Sequence, residues 1–134
     1  MARIIAYEGA KFTIGYARDR SGESPAHVFF ESLGAGDVVK MMALFQRLGD
    51  HGNFMNKEKF RDLGEGLYEF KSFQIRMIFA YCRKERAVVV LTHGFIKKQD
   101  RTPNEELARA RRIFEEDQNR LSAKKLSIVR KLER

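Results

Sequence analysis

The 134-residue chain has little with which to staple itself. It contains one cysteine, two prolines, three histidines and no tryptophan. A lone Cys82 makes no disulfide within the chain, and with three scattered histidines it offers none of the spacings of a zinc site. Cys82 sits inside an apolar run, so it reads as a buried, inert thiol. No segment approaches the ~20 consecutive apolar residues of a membrane-spanning helix. The opening Met1-Ala2-Arg3-Ile4-Ile5-Ala6 is too short for the apolar centre of a secretion signal. There is no glycine-rich phosphate loop and no serine–histidine–aspartate pattern. These absences point to a cytoplasmic protein with no metal, no cofactor and no membrane partner.

What is present is an ordinary globular mixture. Hydrophobic residues make up 43% and charged residues 33%, and eleven phenylalanines are available for a core. A single domain of this length buries roughly two-thirds of its unfolded surface and needs no staple. The charge is one-sided: 26 Lys and Arg against 18 Asp and Glu give a net +8. Such a balance favours polyanionic partners, nucleic acid foremost.

Ile4 to Tyr16 alternates loosely between apolar and polar residues and predicts one or two short strands. Ser24-Pro25 is a helix start, with Ser at the N-cap and Pro where a missing N–H costs nothing. That short helix should end at Gly34 and Gly36. Asp37 should cap a second helix carrying Val38, Met41, Phe45 and Leu48 on one face, with Gly49 as its stop. His51 to Gly66 reads as loop, with Gly64-Glu65-Gly66 a turn. Strands are expected at Leu67–Lys71, Gln74–Cys82 and Ala87–Thr92. In the second, Ile75, Met77, Phe79 and Tyr81 share one face and Gln74, Arg76, Ile78 and Ala80 the other. The third is a nearly continuous apolar run, as for a strand covered on both sides. Thr102-Pro103-Asn104-Glu105 opens a last helix with the residues of a capping box. The expected architecture is α+β: a helical hairpin packed on a small twisted, mostly antiparallel sheet, with a C-terminal helix. The domain should span residues 1–121, followed by a basic extension over 122–134.

The residues that could carry chemistry concentrate around the strands. Arg76 lies on the face opposite Met77 and Phe79. Lys71 ends the preceding strand, and Lys97 and Lys98 follow the last one. Together they predict a cationic bowl able to bind phosphate and stabilise charge developing in phosphoryl transfer. Charged strand edges are also a common guard against aggregation. His93 titrates nearest neutrality and reads as either a structural histidine or a base. Tyr81 reads first as core and second as a base-stacking or proton-transfer residue. His27 and His51 receive no catalytic role, and Glu65 and Glu69 form no clear acid pair.

Taken in order, these segments resemble the RelE/ParE superfamily of type II toxins, in particular its phage-derived, HigB-like branch. The resemblance runs from about Gly22 to about Asp117. It rests on Ser24-Pro25 leading to Phe29-Phe30-Glu31-Ser32-Leu33, and on Leu63-Gly64-Glu65-Gly66-Leu67-Tyr68-Glu69-Phe70 followed by Ile75-Arg76. Its most specific part is His93-Gly94-Phe95-Ile96-Lys97-Lys98 with Thr102-Pro103 behind it. The chain departs from the pattern at Ile75, where members often carry tyrosine before the arginine. The resemblance implies a RelE-like fold and a ribosome-dependent endoribonuclease that cuts mRNA and inhibits translation. A cognate helix-turn-helix antitoxin would be its partner, and the free toxin a monomer or weak dimer. It also implies that Arg76, Lys97, Lys98 and Lys71 are catalytic and that Arg76, Lys97 and Lys98 bind RNA; Tyr81 and His93 join the expected RNA-binding residues on their own position and chemistry. Two other functions fit the same fold: a non-catalytic nucleic-acid- or ribosome-binding phage regulator, and a gyrase-directed toxin.

Overall fold

The computed structural model describes the backbone of residues 3–52, 58–98 and 102–132, with side chains through residue 121. Two short strands come first, β1 (Ile5–Glu8) and β2 (Thr13–Tyr16), then α1 (Pro25–Glu31) and α2 (Ala35–His51). Four strands follow: β3 (Phe60–Gly64), β4 (Leu67–Ser72), β5 (Ile75–Tyr81) and β6 (Val88–Ile96). The long α3 (Asn104–Leu132) closes the chain. The six strands form one sheet in the order β1-β2-β6-β5-β4-β3. All adjacent pairs are antiparallel except β2 and β6, which run parallel. The α+β expectation of a helical hairpin, a mostly antiparallel sheet and a C-terminal helix holds.

β5 explains how the sheet is covered. Its odd residues Ile75, Met77 and Phe79 join Ile14, Met41, Phe45, Leu48, Phe70 and Leu91 in the core beneath α1 and α2. Its even residues Ile78 and Ala80 join Leu67 and Ala110 beneath α3. Each large apolar side chain taken fully from water contributes roughly 1.5–3 kcal/mol, so two covered faces hold β5 firmly at the centre. Phe70 and Phe79 stack with centroids 4.3 Å apart, joining β4 to β5.

Several local expectations are corrected. Ser24 does precede α1 and Pro25 opens it, but the serine makes no side-chain capping bond. Gly34 caps α2 instead of ending α1, Gly36 lies inside α2, and Asp37 stands in its first turn. Gly49 does not stop α2, which continues to His51 and ends at Gly52 with φ 76°. Gly49 is needed for another reason: Lys11 and Phe12 both donate their backbone N–H to its carbonyl. A Cβ there would lie 2.9 Å from the Tyr7 ring. The region read as loop contains β3, whose residues Phe60, Arg61 and Asp62 pair with Phe70, Glu69 and Tyr68; residues 53–57 fall outside the described part. β6 runs on past Thr92 to Ile96. α3 begins at Asn104, and Thr102 does not cap it, because its hydroxyl donates to Glu69 instead. The backbone of α3 runs from Asn104 to Leu132.

The β4–β5 hairpin positions everything that follows. Ser72 pairs with Ile75, leaving Phe73-Gln74 as a two-residue loop. Beside it, the β3–β4 turn Gly64-Glu65-Gly66 has φ values of 88°, 55° and 81°. The turn expected there is present.

Candidate functional site

Strand alternation places Glu69 and Lys71 of β4 on the same face as Arg76 of β5. Register then sets them side by side: Lys71 pairs with Arg76. On the outer side Arg61 of β3 pairs with Glu69. On the inner side Arg76 pairs with Phe95 of β6, and Lys97 donates its backbone N–H to Gln74 just beyond that strand. Arg61, Lys71, Arg76 and Lys97 thus gather around Glu69 on the α3 side of the sheet, beyond the apolar patch of Leu67, Ile78 and Ala80.

The cluster is largely withdrawn from water. Glu69 is 0% exposed, Lys97 3% and Arg76 6%. Arg76 is fixed from below: its Nη1 donates to the carbonyls of Phe73 and Ile75. Its Nε faces Glu69 Oε1 at 3.4 Å. The other carboxylate oxygen accepts the Thr102 hydroxyl at 2.7 Å, tying the approach to α3 onto the site. Oε1 of Glu69 and Nε of Arg76 make no hydrogen bond. Buried polar atoms without partners are rare in folded proteins and mark places to look for function.

Electrostatics follow from this crowding. Burial holds the Arg76 guanidinium below its usual value; Glu69 opposes that and Arg61 adds to it. Burial likewise lowers Lys97. Glu69 pulls it back up, while Arg76, Arg61 and Lys71 push it further down. A lysine so placed gives up its proton more readily than one in water. The arrangement can grip an anion with several fixed cations, accept a proton at Glu69 Oε1 and donate one from Lys97.

The other expected site residues are distributed around this centre. Lys98 is exposed at the rim, where with Lys97, Phe95, Pro103, Glu105 and Glu106 it lines a hollow of about 270 Å³. His93 shares the α3 face but lies wholly buried behind the cluster, its Nε2 3.7 Å from Glu106 Oε1 and without a hydrogen bond. Burial first, then Arg109 and Arg112, push its pKa down to about 3, so the ring is neutral near pH 7. Tyr81 lies on the opposite face, packed against Phe12, Tyr68 and Phe79. Cys82 lies half-buried beyond the end of β5 and accepts from Gln118 Nε2 at 3.3 Å.

Two members of the cluster were not singled out from sequence. Glu69 alternates with Leu67 and Lys71, so its face was readable once β4 and β5 were paired. Arg61 carries no signal of its own, because β3 is a short edge strand of mixed charge whose identity comes from pairing with β4. Among the described residues no group of acidic, histidine or cysteine side chains is arranged to hold a metal ion. No helix among them is long and apolar enough to cross a membrane.

The model of one protein family, described as phage-derived protein Gp49-like (DUF891), matches residues 28–115. No curated protein matches the chain. The family match covers well over half of the sequence and spans the whole cationic cluster. The chain belongs to this phage-derived, RelE-like family.

Proposed function

We propose that this Gp49-like protein is the toxin of a type II toxin–antitoxin pair, of the HigB-like kind, and that it cleaves mRNA on the ribosome at the Arg76–Lys97–Glu69 cluster. One observation carries the proposal: Arg61, Lys71, Arg76 and Lys97 converge on one face of the sheet about a buried carboxylate that keeps one oxygen without a hydrogen bond.

In this reading a phosphodiester enters over the cluster and takes the cations that Glu69 balances in the free protein. The ribose 2′-oxygen attacks the adjacent phosphorus as its proton passes to Glu69 Oε1. Arg76 and Lys71 stabilise the charge that develops on the non-bridging oxygens. The bond from phosphorus to the 5′-oxygen breaks, and Lys97 supplies the proton that the leaving oxygen needs. The products are a 2′,3′-cyclic phosphate and a 5′-hydroxyl. Lys98, exposed at the rim, holds the strand on its way in. Neutral, buried His93 and Tyr81 on the far face stand outside this scheme.

Glu69 has a second use. It keeps the cations from facing one another unpaired while no RNA is bound, since one uncompensated buried charge costs about 3–5 kcal/mol. The family also implies an antitoxin, for which an acidic segment laid over the same cations is the fitting partner. The test is cleavage of mRNA on programmed ribosomes by the protein and by its Arg76→Ala and Arg76→Lys variants, with thermal melts as the control for folding. Loss of cleavage in folded variants supports the assignment, and full activity in both sinks it.

A further inference from the structure

The tip of the β4–β5 hairpin breaks two rules at once. Phe73 has φ 55°, with the neighbouring Gln74 not in the positive region. This is the pattern of a type II′ turn, which favours glycine at the first position. An aromatic residue there carries strain of order 1 kcal/mol. The residue is also left 68% exposed, among the most exposed large hydrophobics of the described residues. Neither local conformation nor burial accounts for phenylalanine at this position.

The surroundings are equally specific. Lys40 of α2 holds its Nζ 4.3 Å from the ring centroid, and Lys59, just before β3, holds its own at 5.7 Å. The Lys59 carbonyl accepts from the Lys71 backbone N–H, which fixes that segment to the hairpin. The Phe73 carbonyl accepts from Arg76 Nη1. One turn residue therefore joins an exposed aromatic ring, with two cations about it, to the buried arginine of the phosphate cluster.

We propose that Phe73, at the hairpin tip with Lys40 of α2 over its ring, is a stacking platform for one base of single-stranded RNA that reaches the phosphate cluster round the tip, with Lys40 and Lys59 as contacts for neighbouring phosphates. The proposal rests on the RNA reading of that cluster and names a contact that reading lacks. An exposed ring bordered by cations suits a ligand that alternates flat π-faces with negative charge, as single-stranded nucleic acid does. A lipid surface would find too little apolar area here, and an apolar protein segment would have to desolvate both lysines. The Arg76 bond to the Phe73 carbonyl ties the tip to the cluster, so a strand stacked on the ring has only the hairpin tip to pass round before it meets the cations.

Binding of a short single-stranded RNA, measured by fluorescence anisotropy at fixed ionic strength, tests this against the same RNA made abasic. The charge is equal in the two oligonucleotides and only the bases differ. The native protein should prefer the intact RNA. Phe73→Gly removes the ring and relieves the turn, so it should fold at least as well; it should lose about tenfold of that preference and bind the abasic RNA as before. Phe73→Tyr should keep the preference. Equal preference in the native protein and Phe73→Gly overturns the proposal, as does no preference in the native protein. A loss by Phe73→Gly in binding an acidic peptide, with RNA binding unchanged, would overturn it and assign the tip to a protein partner instead. Because the assay does not read cleavage, failure here leaves the Arg76 chemistry standing, and failure of Arg76 variants to lose cleavage leaves this result separately readable.

Discussion

Glu69 Oε1 and Arg76 Nε stand 3.4 Å apart on adjacent strands, and neither atom makes a hydrogen bond. The pair compensates charge without being closed. A fully satisfied pair of this kind would be a structural strut; this one keeps an acceptor and a donor in reserve beside Lys97. A phosphate can replace the carboxylate at the guanidinium without first breaking a two-pronged ion pair.

Replacing Glu69 separates its two roles. Glu69→Gln keeps the shape and the Thr102 contact but leaves Arg76 and Lys97 without a counter-charge. It should lower stability by about 3 kcal/mol and abolish cleavage. Chemical denaturation and cleavage measured together check this, and a variant that is as stable as the native protein contradicts the account of the buried charge.

Thr102 offers a milder probe. Its hydroxyl gives Glu69 the hydrogen bond that fastens the start of α3 to the site. Thr102→Val should cost about 1–2 kcal/mol by leaving Oε2 unsatisfied. The loss should be nearly absent when the same change is made in Glu69→Ala, which has no oxygen to receive the hydroxyl. A double-mutant cycle measured by denaturation gives the coupling directly.

The buried His93 makes stability fall at acid pH. Its pKa lies at about 3 in the folded chain, against an ordinary 6.5. Between those values the unfolded chain binds more protons, so the histidine's contribution is complete above the unfolded value and lost as pH falls toward the folded one. Arg109 and Arg112 oppose protonation, and Glu106 at 3.7 Å is too loosely placed to reverse it. At about pH 5 this linkage is worth up to about 2 kcal/mol. Thermal melts from neutral to acid pH should therefore show a steeper fall for the native protein than for His93→Gln. Parallel curves would refute the linkage.

Close approach and free space predict opposite outcomes for two glycines. A Cβ on Gly9 would fall far inside contact distance of the Gly49 carbonyl group, where no side chain can move aside. Gly9→Ala should cost more than about 2 kcal/mol by forcing the β1–β2 hairpin off α2. Gly36, inside α2, has nothing within 4 Å of the same atom. Gly36→Ala should stabilise by about 0.5–1 kcal/mol. Melting temperatures of the two variants are enough to check both signs.

Much of this was legible in the sequence because period-two alternation in β5 is unambiguous. It put Arg76 opposite Met77 and Phe79, and the order of strands put Lys71 and Lys97 within its reach. What was hidden depended on contacts distant in sequence. Gly49 looked like a helix stop because a stop needs a glycine, but here the glycine serves a backbone crossing. Thr102 looked like a cap because its spacing is that of a cap, but a buried carboxylate competes for its hydroxyl. β3 is an edge strand of mixed charge with few apolar residues, so its pairing with β4 gives it an identity that its own pattern does not. With β3 went Arg61, and with Arg61 the full charge setting of Glu69. Phe73 carried no signal at all, since one phenylalanine among eleven reads as core.

Mapping RNA 5′-hydroxyl ends after brief expression tests the central claim most directly, with the native protein compared against folded Arg76→Ala. The account predicts cuts phased to codons in translated mRNA, and a drop of about 10²–10³ in their rate when Arg76 is lost. Intact mRNA in cells arrested by the native protein, or the same cuts at the same rate from Arg76→Ala, would contradict it.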